Sequence, residues 1–92
     1  MMRLNPDYVL RTVAGEALLV SEGVGRVDFN NMISLNGPAA WLWEKARDAG
    51  GEFDEAVLVE WLTGEYEVDE AAAAADVHRV LAVWKEYGVI VD

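Results

Sequence analysis

The apolar positions along this chain follow two rhythms, alternation in the first third and helical spacing thereafter. Tyr8–Val13 is rich in β-branched and aromatic residues and divides into the sets Val9/Arg11/Val13 and Tyr8/Leu10/Thr12, as a strand does. Ala14-Gly15 then predicts a tight turn, and Glu16–Ser21 the returning strand. Residues 22–26 form a glycine-punctuated loop, Val27-Asp28-Phe29 either extends that strand or begins the next, and Asn30-Asn31 reads as turn chemistry. In Met32–Leu35, Ile33 and Leu35 point to one face and Met32 and Ser34 to the other, which predicts the third strand of an antiparallel meander.

The pattern changes at Asn36, a favoured N-cap residue followed by Pro38 where a missing N–H costs nothing. A helix over residues 37–49 follows, with Ala40, Trp41, Trp43 and Ala46 as its apolar positions and Gly50-Gly51 as its end. Trp41 and Trp43 lie two apart, roughly 200° around a helix axis, so they cannot both face one core, and one of them sits at the core's edge, at a second contact or against a partner. Asp54 caps a second helix over 54–65, with Phe53 placed to staple onto Leu58. Val57, Leu58, Trp61 and Leu62 form its core stripe, and Gly64 is expected to break the run. A third helix over 69–87 begins with an acidic cap at Asp69. It runs through five alanines and carries the stripe Val77, Val80, Leu81 and Trp84 until Tyr87-Gly88, before a final apolar Val89–Val91. The expectation is one α+β domain over residues 1–92, with the sheet at about 8–35, three helices after it, and any working site at the seam around Asn36.

Composition narrows the functions this domain could serve. The absence of cysteine removes disulfides, thiolate metal sites and a cysteine nucleophile. With no apolar run near the ~18 residues of a membrane span and no signal-peptide pattern at the start, the expectation is a soluble, cytoplasmic protein. The net charge is −10, of which residues 37–92 carry −9. That balance opposes binding of DNA or RNA, whose phosphates need basic groups. It suits either a solubilising surface or a docking face for a basic partner. His78 is the single histidine, on a helix with no serine near it in sequence, so neither a multi-histidine metal site nor a triad is expected. Gly23-Val24-Gly25 lacks the pattern of a phosphate loop. No cofactor, metal or catalytic residue is expected.

A three-stranded meander leaves two open edges, and the third strand has neither proline nor lysine to block pairing. An extended peptide could join it as a fourth strand. Equally, a loop, the Val89–Val91 segment or a second copy of the chain could cover it.

The ordered series Leu10-Arg11, Val13, Gly15-Glu16, Leu19-Val20, Asn31, Met32-Ile33, Leu35-Asn36, Trp43-Glu44, Tyr66, Val68-Asp69, Ala73, Asp76-Val77 and Gly88-Val89-Ile90 resembles the PqqD family. That family includes the small protein of pyrroloquinoline quinone biosynthesis and the recognition elements of ribosomally made, modified peptides. The resemblance implies a winged-helix-like fold of three antiparallel strands and then three helices. It also implies a non-catalytic adaptor that binds the leader of a precursor peptide and presents it to a modifying enzyme, often a radical S-adenosylmethionine protein. The leader would pair with the third strand at Asn31, Met32, Ile33, Ser34 and Leu35. The opposing wall would come from the third helix at Asp76, Val77, Arg79, Val80 and Val83. Ile33, Leu35 and Val77 are expected in the core as well, which leaves Arg79 and Val83 as the more selective contacts. The alternative is a winged-helix-like scaffold for protein–protein contact, a regulatory subunit or homodimer sealed through the same edge.

Overall fold

The structure, a computed structural model, describes residues 1–22 and 28–91, with the side chains of 28–31 outside that description. Six strands and three helices are found among the described residues: β1 (Met2–Leu4), β2 (Tyr8–Val13), β3 (Glu16–Ser21), β4 (Asp28–Leu35), α1 (Gly37–Asp48), β5 (Glu52–Phe53), α2 (Glu55–Glu65), α3 (Glu70–Glu86) and β6 (Ile90–Val91).

The meander has the order β2-β3-β4, antiparallel throughout. At its first turn Ala14 and Gly15 both have positive φ, 52° and 81°, matching the twist of the strands they join. Leu19, wholly buried, stands between its partners Leu10 and Ile33 on the face that meets the helices. Asn30-Asn31 is not a turn. Pairing with β3 begins at Ser21↔Asp28, with an irregularity between Leu19 and Ser21, so β4 is one strand of eight residues. Ladder formation outweighs the weak strand preference of asparagine. The loop expected over residues 22–26 lies, from residue 23 on, outside the described residues, as does Val27.

Each helix starts where the sequence places a cap. Asn36 Oδ1 accepts from the Ala39 N–H at 2.8 Å, Asp54 Oδ1 from Val57 at 2.9 Å and Asp69 Oδ1 from Ala72 at 2.7 Å. Gly64 does not end α2, which continues to Glu65 and closes with the Tyr66 N–H on the Leu62 carbonyl at 2.9 Å. A glycine costs about 1 kcal/mol in a helix interior, less than burial of the neighbouring Leu62 returns.

α1 and α3 end alike. Gly50 (φ 101°) and Gly88 (φ 75°) take the left-handed conformation just beyond the cap. The Gly51 N–H then donates to the Ala46 carbonyl and the Val89 N–H to the Trp84 carbonyl, both at 2.8 Å. These are Schellman closures, which a side chain with a Cβ makes at a cost. The chain leaving each closure is stitched to the β1 segment: Leu4 N–H donates to the Gly51 carbonyl at 2.8 Å and Asn5 N–H to the Val89 carbonyl at 2.7 Å. The result is a second small sheet, β5-β1-β6, absent from the sequence expectation. The terminal apolar segment pairs with β1, Leu4 opposite Ile90, and so does not cover β4.

One core joins the two sheets to the helices. It holds Leu42, Trp43 and Ala46 of α1, Leu58 and Leu62 of α2, Ala73, Val77, Leu81 and Trp84 of α3, together with Leu19, Ile33, Phe53, Val89 and Ile90. Phe53 and Leu58, the expected staple, are both buried there. Trp43 is inside and Trp41 half-buried at the rim, as their angular separation requires.

Candidate functional site

β4 occupies an edge of the meander, and no described strand pairs with its outer side. Because side chains alternate along it, Ile33 and Leu35 turn to the helices while Met32 is exposed on the opposite face. The strand runs directly into Asn36 and α1, and α3 lies across from this junction. Between them is a groove of about 460 Å³.

The groove is assembled from four parts of the chain. Ser34 and Leu35 supply the strand side, and Asn36, Pro38, Ala39 and Leu42 the first turns of α1. Leu62, Tyr66 and Val68 close one end, where α2 hands over to α3. Asp76, Arg79, Val80, Val83 and Trp84 form the α3 wall. Most of this lining is apolar, and its size falls in the range of pockets that enclose ligand side chains.

α3 presents this wall through its i, i+3, i+4 and i+7 spacing, which puts Asp76, Arg79, Val80 and Val83 on one side of the helix. Val83 is exposed despite being apolar, whereas Trp84 beneath is buried. The charged groups of the wall are the Asp76 carboxylate and the Arg79 guanidinium, which donates to it across one helical turn. The Arg79 side chain is largely exposed and that of Asp76 about half exposed, so the pair contributes little to stability. The groove therefore joins a strand edge that no described strand pairs with, an apolar floor and one solvent-facing ion pair. Among the described residues that line it, the charged or titratable side chains are Asp76, Arg79 and Tyr66. His78 is exposed on α3, with Nδ1 3.5 Å from Glu55 of α2, and does not line the groove. Among the described residues, no cluster of three or more histidines and carboxylates could hold a metal. No helix there is long and apolar enough to cross a membrane.

Residues 7–90 match the family described as coenzyme PQQ synthesis protein D, PqqD. The chain belongs to the PqqD family. Curated proteins give no match. Among solved structures, the fold is similar to that of "Lasso peptide synthetase B1 complexed with the leader peptide", at 24% identity over 99% of this chain and 98% of that one, with a TM-score of 0.69. It is also similar to "TbiB1 in Complex with the TbiA(beta) Leader Peptide", at 15% identity over 96% and 93% of the two chains, with a TM-score of 0.70. At such identities the likeness is one of fold.

Of the ten site residues expected from the sequence, this PqqD-family fold brings Ser34, Leu35, Asp76, Arg79, Val80 and Val83 together around the groove. Val77 is wholly buried and Ile33 nearly so, and both serve the core. Met32 points away from the groove, and the side chain of Asn31 lies outside the described set. The residues that sequence reasoning missed are those of α1 and the α2–α3 junction, above all Pro38, Leu42, Tyr66 and Val68. Pro38 carried a signal in its position just past the seam. Tyr66 and Val68 carried only their place in the family series.

Proposed function

We propose that this protein recognises the leader segment of a ribosomally synthesised precursor peptide and presents it to a modifying enzyme, catalysing nothing itself. The leader adds to β4 as a fourth strand, its backbone pairing along residues 31–35. Its alternate side chains enter the groove against Asp76, Arg79, Val80 and Val83. The observation that carries this reading is a strand whose outer edge no described strand pairs with, opening onto an apolar groove, in a fold similar to two solved structures that are complexes with leader peptides. The enzyme it serves would be a radical S-adenosylmethionine protein or another peptide-modifying enzyme, meeting the adaptor in the cytoplasm.

An amide NMR titration tests this, using the leader half of a short precursor-like peptide encoded beside this gene. The expected result is saturable shifts concentrated at residues 31–35 and 76–83. Shifts that avoid both segments, or an unchanged spectrum with each candidate leader, would overturn strand addition. In that case light scattering that shows a dimer persisting at nanomolar concentration would give the edge to a second copy.

A further inference from the structure

A second concave surface lies outside the β4–α3 groove, between α1 and α2, with a volume of about 480 Å³. Trp41, Glu44, Lys45 and Asp48 share one face of α1, and Trp61 of α2 stands opposite. The Lys45 ammonium sits 5.4 Å from the Trp41 ring centre and 5.6 Å from that of Trp61. Both distances are within cation–π range. Among the described residues no carboxylate ion-pairs with Lys45, so the indole faces hold it. Glu44 likewise has no ion-pair partner among the described residues, and Asp48 is occupied by its own neighbour Arg47 at 3.2 Å.

We propose that this notch is a docking surface for a basic segment of a partner protein, in which an arginine or lysine displaces Lys45 from between the two indoles. The notch already holds a cation, and its carboxylates are not used by that cation. A guanidinium suits it better than the resident ammonium, because it is planar, stacks on aromatic faces and can still reach Glu44. The protein's net charge of −10 steers a basic segment inward and repels a second copy. The notch also shares a wall with the groove on β4. Trp41 meets Tyr66 edge-on, with ring centres 5.7 Å apart and planes at 89°, and Tyr66 lines that groove. A partner seated here lies beside whatever the groove holds. The proposal itself rests on the notch alone.

The test follows the four tryptophan indole N–H signals of the whole protein by NMR. The probe is the peptide acetyl-Ala-Arg-Ala-Arg-Ala-amide, and its glutamate counterpart serves as control. The arginine peptide is expected to shift the Trp41 and Trp61 signals saturably, and the glutamate peptide to leave them unmoved. Lys45→Gln, which removes the resident competitor, is expected to tighten binding roughly fivefold. The double substitution Glu44→Lys and Asp48→Lys changes exposed residues only. It is expected to abolish the shifts while leaving the remaining spectrum dispersed as before. The proposal is overturned if neither the natural protein nor Lys45→Gln responds, if the double variant still binds the arginine peptide, or if both peptides act alike. It is also overturned if sedimentation shows a dimer that the double variant loses, since the notch would then belong to a second copy.

Discussion

The strands of the β2-β3-β4 meander are neighbours in sequence, whereas β5-β1-β6 gathers residues 52–53, 2–4 and 90–91 into one sheet. The first follows from the tight turn at Ala14-Gly15 and a period of two. The second is made by closure, since its central strand β1 receives the chain just after the Schellman ends of α1 and α3. They also differ in what they leave free. Among the described residues the meander's outer strands, β2 and the eight-residue β4, have no further strand paired to them, and β4 lies beside a groove. The closing sheet has two-residue edge strands, too short to recruit another chain. The proposed peptide edge and the structural closure thus lie on different sheets, and they should fail separately.

The largest effect should come from the closing sheet. Phe53 is 2% exposed, pairs with Met2 in β5 and reaches the common core. Phe53→Ala is expected to cost about 3–5 kcal/mol, a large part of the 5–15 kcal/mol that holds a typical domain together. Urea denaturation would read this as a lower midpoint with an unchanged slope. A midpoint that stays put would mean that the closing sheet is dispensable to stability.

The reverse experiment alters the groove without touching the core. Val83 is 43% exposed on the α3 wall. Val83→Arg should leave the midpoint close to that of the natural protein while weakening leader binding at least tenfold, or about 1.4 kcal/mol. Calorimetric titration measures the binding. Equal losses of stability and affinity would show that the groove and the core are one unit.

The smallest effect is a dependence on pH at the far side of the meander. Arg11 and Glu22 form an ion pair there, and the hydrogen bond from the guanidinium holds the Glu22 carboxyl below its ordinary value of 4.5. The same hydrogen bond raises the Arg11 guanidinium above its ordinary value, far from any working pH. A lowered carboxyl makes its contribution in full above that ordinary value and loses it as pH falls through the folded-state value. Both groups reach solvent, so the contribution is slight. Urea midpoints at pH 7 and pH 3 should fall further in the natural protein than in Glu22→Gln. Equal falls would remove Glu22 from the acid response.

Much of the fold is legible in the residues because its signals are local. Asn36, Asp54 and Asp69 each accept the N–H three residues on, and Gly50 and Gly88 each end a helix within one turn. The Asn30-Asn31 and Gly64 expectations fail for the same reason, since a weak local preference there yields to strand pairing and to burial of Leu62. The groove is half legible. The α3 wall follows from helical spacing and the family series. Pro38, Leu42, Tyr66 and Val68 come to it from two other parts of the chain that no period relates to β4.

The α+β order of elements, the helix caps and most of their ends, and the apolar face of each element follow from the residues directly, because they depend on contacts within a few residues. That Ile90 pairs with Leu4 rather than with β4, and that Lys45 lies between two tryptophans on different helices, comes from contacts between distant parts of the chain. The apolar stretch 89–91 could satisfy its backbone on any open strand, and it goes to β1 because the Gly88 closure and the Asn5 side chain, which donates to the Gly88 carbonyl at 2.9 Å, deliver it there.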